Sequence, residues 1–286
     1  MELFFDMLRS IVYGVIEGVT EWLPISSTGH MILAEQVLKF SLSAEFMEMF
    51  RVVIQLGAIL AVVVLYFKKL WPFCVDNGRD SGLAKHVRWP VMRLWGKILV
   101  ACLPAAVLGL LLDDWMDAHL YNSVVVAIML IVYGIAFILI ERRPRVPTTT
   151  KLSRITYKQA IIVGAWQVLA LIPGTSRSGA TIIGGLLCGM SRACASQFTF
   201  FLAIPVMAGA SGLKLVKFLA KGGVFTLGEV GTLLVGCIVA FVVSILAIRF
   251  LMDYVKKHTF TVFGWYRIAL GILVLGIWAL QSFVLA

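Results

Sequence analysis

Long apolar runs separated by short polar loops dominate the chain. Residues 49–67 are apolar with one charge, Arg51, near the start. Residues 98–112 are uncharged but short, and 93–97 are placed to extend them along an interface. Residues 120–140, 193–213, 230–248 and 268–286 carry no charge at all. About 20 apolar residues in a helix cross a hydrocarbon core, so these runs predict six transmembrane helices. They are continuous and do not alternate, which argues against a β-barrel.

Two regions break the pattern. Residues 9–35 are apolar but carry Glu17, Glu21 and His30, with Pro24 between them. Residues 159–191 are interrupted by Pro173-Gly174 and carry Arg177. The second half of that region, 178–191, reaches about 21 Å as a helix, short of a core of about 30 Å. Both read as re-entrant helix-loop-helix hairpins. They also resemble each other. Gly14-Val15-Ile16-Glu17 aligns with Gly164-Ala165-Trp166-Gln167, and Leu23-Pro24 with Ile172-Pro173. Ser26-Ser27-Thr28-Gly29 then matches Ser176-Arg177-Ser178-Gly179. The expected fold is an all-α polytopic membrane protein built from two repeats, 1–145 and 146–286. Each is a hairpin followed by three spans. Three is odd, so the second repeat is inverted, and the two form one integrated membrane domain. Gly14-x-x-x-Gly18 and Gly185-x-x-x-Gly189 are read as close-packing sites.

Composition agrees. Of 286 residues, 60% are hydrophobic and only 14% charged, with a mean hydropathy of +0.96. A soluble domain carries about 25% charged residues. A net charge of +10 would suit nucleic acid, but the basic residues sit in loops between spans, so no nucleic-acid partner is expected. Lys68, Lys69, Arg79, Lys85, Arg88, Arg93 and Lys97 form one cluster; Arg142, Arg143, Arg145, Lys151, Arg154 and Lys158 form another. The positive-inside rule puts both in the cytoplasm and both termini outside. The loop with Asp113, Asp114 and Asp117 then faces outward. Lys214, Lys217 and Lys221 run against this topology. The five scattered cysteines form no metal or disulfide pattern, and the acidic N-terminus predicts no cleaved signal.

The polar residues inside the hairpins carry the candidate chemistry. Glu17 and Glu21 are four apart and share a helix face. An interfacial polar face would explain them, but ionisable groups within membrane segments usually mark function. Pro24 ends the first half-helix, and Ser26, Ser27 or Thr28 can cap the next. Free backbone amides there, with three hydroxyls, make an anion site. His30 follows Ser27 by three residues, so one turn can pair a nucleophile with a base. In the second hairpin Thr175, Ser176 and Ser178 repeat the design, and Arg177 matches phosphate geometry. An ion pair between Arg177 and Glu17 or Glu21 is compatible with that role. If the hairpins meet, carboxylates and a bound anion repel unless a hard cation, Mg²⁺ or Ca²⁺, bridges them. The residues alone point to hydrolysis of a phosphate ester or phosphoanhydride within a membrane.

Glu17-Gly18-Val19-Thr20-Glu21-Trp22-Leu23-Pro24-Ile25-Ser26-Ser27-Thr28-Gly29-His30 and Pro173-Gly174-Thr175-Ser176-Arg177-Ser178-Gly179-Ala180-Thr181 resemble the motifs of the bacitracin-resistance family of undecaprenyl-diphosphate phosphatases. The resemblance covers almost the whole chain. It implies removal of one phosphate from undecaprenyl diphosphate, recycling the carrier for peptidoglycan synthesis and giving bacitracin resistance. It also implies divalent-cation dependence, a bacterial inner-membrane location and a site open to the periplasmic side. Carried over by position, Glu17 and Glu21 bind the metal or handle protons. Arg177 and Ser176 hold the diphosphate, and Ser27 or His30 attacks or activates the attacker. Ser27 as a phosphoenzyme-forming nucleophile and a His30-activated water both stand. Expected partners are the lipid diphosphate and bilayer lipids; a homodimer is left open. The competing reading is an inverted-repeat transporter or flippase of a phosphorylated lipid or another anion, since broken helices aimed at a midplane site are also a transporter device.

Overall fold

The computed structural model describes residues 2–75, 82–143 and 146–284. Arg79 and Arg145 of the basic clusters, and the side chains of Asp113, Asp114 and Asp117, lie outside what is described. Eleven α-helices, with short 3₁₀ turns between some of them, make up the described chain. In the first half these are α1 (Glu2–Thr20), α2 (Ser27–Val37), α3 (Ala44–Val53), α4 (Gln55–Leu70), α5 (Trp89–Leu120) and α6 (Ser123–Arg142). In the second they are α7 (Tyr157–Val168), α8 (Arg177–Leu187), α9 (Arg192–Ala220), α10 (Leu227–Lys257) and α11 (Thr261–Val284).

Six helical stretches are long and apolar enough to cross a membrane: Ala44–Leu70, Trp89–Leu112, Ser123–Arg142, Arg192–Ala220, Leu227–Lys257 and Thr261–Ser282. These are the predicted spans, lengthened at their ends where polar caps and interfacial residues continue the helix. Ser43, Asn122 and Ser191 each cap a helix through the side chain. Thr156 with Gln159 and Thr226 with Glu229 form capping boxes, the reciprocal arrangement expected of Thr-x-x-Gln and Thr-x-x-Glu. The first span is interrupted at Ile54, just before Gln55.

The helices pack in matched partnerships. α1 lies against α10 and α7 against α5, α4 lies against α10 and α9 against α5, and α6 pairs with α11. Glycine makes the closest of these approaches possible. A Cβ on Gly57 of α4 would lie 2.1 Å from the Cys237 carbonyl oxygen of α10. Gly14 and Gly18 of α1 approach the Gly236 and Ala240 carbonyls of α10 in the same way, as the small-residue spacing predicts. Gly164 of α7 meets the Ala101 carbonyl of α5. Gly185 also packs, against Ala195 of α9, whereas Gly189, beyond the end of α8, lies against the Thr148 side chain of a loop and not against another helix. It takes φ +86 and its carbonyl accepts from Thr148 and Thr149, so it is a turn residue and not half of a packing pair.

α2 and α8 sit inside this frame. α8 packs against α7, α9 and α6, while α2 packs against α1, α6 and α11. One end of the bundle gathers the Phe46, Phe218 and Phe225 rings and the Gln36–Gln281 bond. The other end gathers Thr149 against Met190 and Glu141 with Arg192. Most of the basic loop residues lie at this second end.

Candidate active site

The two helix–break–helix units bring their breaks together in the interior. Each break ends in a serine held at positive φ, Ser26 at 74° and Ser176 at 71°. Among the described residues these are the only non-glycine residues in that region. They are the N-cap positions of α2 and α8, so the same strained turn opens both inner helices. Strain of this kind persists only where the surroundings fix it, and it clusters at binding and catalytic sites. Ser176 caps as expected, its Oγ accepting from the Gly179 amide at 3.2 Å and contacting Ser178 Oγ at 3.1 Å. Ser26 does not cap; its Oγ is buried without a partner.

Arg177 spans the gap between the units. Its Nη2 and Nε donate to Glu21 Oε1 at 2.9 and 3.2 Å, and its Nη1 donates to the Thr199 carbonyl at 2.9 Å. The guanidinium also lies 5.9 Å from the Trp22 ring centroid. Both charged side chains are nearly buried, at 11% and 8% exposure. The other carboxylate oxygen, Glu21 Oε2, accepts from Ser27 Oγ at 3.3 Å. Glu17 lies one turn earlier, on α1; it is buried, and its Oε1 has no partner. Ser178 Oγ donates back to the Leu23 carbonyl of the first break at 3.4 Å. Thr175 is fully buried with a free Oγ1, and Thr28 is half-buried in the first turn of α2.

His30 is placed differently from the sequence expectation. Its Nδ1 lies 2.7 Å from the Ser26 carbonyl and its Nε2 lies 2.7 Å from the Tyr266 hydroxyl. A carbonyl only accepts, so Nδ1 carries a proton, and in the neutral ring Nε2 accepts from the phenol. The rings stack at 8°. The helical turn that was to pair His30 with Ser27 instead sets its imidazole on the carbonyl four residues back. Ser27 pairs with Glu21.

The match that decides the family is to the model described as bacitracin resistance protein BacA, over residues 10–273. The chain belongs to that family. An undecaprenyl-diphosphatase of Enterococcus faecalis is 60% identical over 278 residues, covering 96% of this chain and 99% of the relative. An undecaprenyl-diphosphatase of Streptococcus gordonii is 56% identical over 282 residues, covering 98% of each. A second undecaprenyl-diphosphatase from Enterococcus faecalis is 56% identical over 279 residues, covering 97% of this chain and 99% of the relative.

Within this family member, two residues near the site escaped the sequence reading. Tyr266 holds His30, and the adjacent Arg267 is fully buried against both breaks. Arg267 stands one residue before a long uncharged run, where a basic residue reads as the end of a span. The available signal was a Tyr-Arg pair on the apolar helix that packs along α6.

For a cation, the described residues offer no group of three or more His, Cys, Asp and Glu side chains. Glu17 and Glu21 form a partial oxygen set with one free buried oxygen. Such a set suits a hard cation, Mg²⁺ or Ca²⁺, whose remaining ligands would be waters and phosphate oxygens.

Proposed function

We propose that the chain hydrolyses undecaprenyl diphosphate to undecaprenyl phosphate and inorganic phosphate, recycling the lipid carrier of cell-wall synthesis and so giving bacitracin resistance. The observation that carries this reading is Glu21, shared between Ser27 and Arg177 at the point where two helix starts converge. The names of the relatives agree with it.

Ser27 Oγ attacks the terminal phosphorus and Glu21, which already accepts its hydrogen bond, takes the proton. The bond from phosphorus to the bridging oxygen breaks, and undecaprenyl phosphate leaves. Water then cleaves the phosphoserine, returning the serine and releasing inorganic phosphate. Arg177 turns from Glu21 toward the equatorial oxygens, where charge builds. Ser176, Ser178 and Thr175, with the amides opening α2 and α8, bind the anion, and Ser26 and Thr28 line the same turn. Bound between Glu17 and Glu21, Mg²⁺ would neutralise phosphate charge. The contacts of His30 support a positioning role through Tyr266 over direct activation of water.

The membrane is the bacterial cytoplasmic (inner) membrane, with the basic end of the bundle inside; the first hairpin then re-enters from the outer, periplasmic side and the second, which starts and ends at the basic end, from the inner side. The chain divides as 1–145 and 146–286, in agreement with the matched helix partnerships. Phosphate release by purified protein in detergent tests the reading, with Mg²⁺ and then with chelator. Hydrolysis needs no sealed compartment and transport does. Well-folded protein that releases no phosphate would overturn the proposal.

A further inference from the structure

We infer that Arg267 is a positioning residue for the diphosphate headgroup: it ties the two strained breaks together and keeps the Ser176 amide of the second turned toward the anion. The inference rests on the phosphatase reading above.

Arg267 is 0% exposed. Among the described residues no carboxylate pairs with it. Its donors go to backbone carbonyls, namely Pro24 at 3.2 Å, Gly174 at 2.9 Å and Thr175 at 2.8 Å, with weaker bonds to Leu130 and Met129 at 3.4 Å. The Tyr133 ring lies 5.5 Å from the guanidinium. The absence of a Cβ on Gly179 makes room for it, since a Cβ there would lie 3.1 Å from Arg267 Nη1.

The carbonyls it chooses are informative. Gly174 and Thr175 immediately precede Ser176, and Pro24 lies two residues before Ser26. One side chain thus holds equivalent points of both breaks, just ahead of the two residues at positive φ. In a planar trans peptide the C=O and N–H point in opposite directions. With the Thr175 oxygen drawn onto Arg267, the Ser176 N–H is turned to the opposite side, and no backbone acceptor takes it. A lysine has three donors on one nitrogen and cannot span carbonyls from two loops as a planar guanidinium does. A buried cation without a counter-charge is a costly way to hold two loops. The cost is explained if the geometry it enforces is needed for an anion.

The test uses full-length protein in detergent, with Arg267→Lys and Arg267→Met. Four quantities are measured: thermal melting, binding of inorganic pyrophosphate, and kcat and KM for undecaprenyl diphosphate. The expected result for folded Arg267→Lys is a loss of about 10–100-fold in kcat/KM, borne mainly by kcat, with pyrophosphate binding weakened about tenfold. Arg267→Met should lose more. A merely structural role would lower the melting temperature and leave kcat, KM and pyrophosphate binding of the folded fraction unchanged, and that result would overturn the inference. Failure of even the lysine variant to fold would overturn it too, by making Arg267 a folding residue. Wild-type protein that neither releases phosphate nor binds pyrophosphate takes down the phosphatase reading, and this inference with it. Normal wild-type behaviour with unchanged folded variants removes the inference alone.

Discussion

Glu21 has one oxygen on a guanidinium and the other on a hydroxyl, and that division makes two separable predictions. Removing one partner of a buried ion pair leaves an uncompensated charge, which costs about 3–5 kcal/mol. Arg177→Met should therefore lower the melting temperature, and Glu21→Gln with Arg177→Met should recover most of it. Activity should stay absent in the double variant, with losses on the order of 10²–10³ for Arg177 alone. A double variant as unstable as the single one would show that the pair is not what holds the site. The second prediction concerns the nucleophile. Ser27→Ala should abolish turnover and any acid-stable phosphoenzyme trapped from radiolabelled substrate. Tyr266→Phe, which removes only the bond to His30 Nε2, should keep the phosphoenzyme and slow turnover by about tenfold or less. A Ser27→Ala chain that still turns over would return the role to a His30-activated water. At this scale the sequence was informative about residue types and less so about pairings. Glu17, Glu21, Ser27, Arg177 and the serines were legible because polar groups in apolar segments stand out. The partner of His30 was not, because Tyr266 comes from a helix 236 residues away. Arg267 was hidden by standing at the edge of an apolar run.

Among the elements, the apolar runs and the Pro-broken regions were readable because burial in lipid demands continuous helices and proline ends them. The spans came out longer than expected: α5 runs from Trp89 to Leu120 where only 98–112 was apolar. Capping residues and interfacial side chains extend helices without adding hydropathy. Close helix approach was readable at Gly14 and Gly18. At Gly57 it was not, because its contact is one carbonyl on α10. That contact yields a sharp expectation. A methyl at Gly57 would sit 2.1 Å from backbone that no rotamer change can move. Gly57→Ala should force α4 and α10 apart and lower the melting temperature by several degrees. Gly276→Ala, whose Cβ meets nothing within 4 Å, is the control and should change stability little. Equal melting of the two variants would mean that the α4–α10 approach is looser than described.

For the whole molecule, the question is which end faces the cytoplasm, and charge and helix order bear on it together. Six spans put both termini on the same side. The end that gathers Thr149, Met190, Glu141 and Arg192 also holds Lys68, Lys69, Lys85, Arg88, Arg142, Lys151, Arg154, Lys256 and Lys257. The opposite end holds Lys214, Lys217 and Lys221, the cluster that runs against the rule. Their setting differs from that of the larger clusters. They line a cavity of about 290 Å³ with Glu45, Glu48 and Glu229, and Lys214 bonds Glu48 at 2.8 Å. Translocation of a short loop whose lysines are matched by nearby acids is less costly than translocation of the two long basic loops, which have few acids. The expectation is therefore that Ser153 lies inside and Gly222 outside. A chain with its native cysteines replaced, carrying Ser153→Cys or Gly222→Cys, can be labelled in intact cells with a membrane-impermeant maleimide. Gly222→Cys should react at once, and Ser153→Cys only after the membrane is opened. The reverse pattern would invert the molecule. Because both breaks hang from the same helices, it would also turn the proposed phosphatase site toward the cytoplasm and away from the leaflet where the spent carrier is expected.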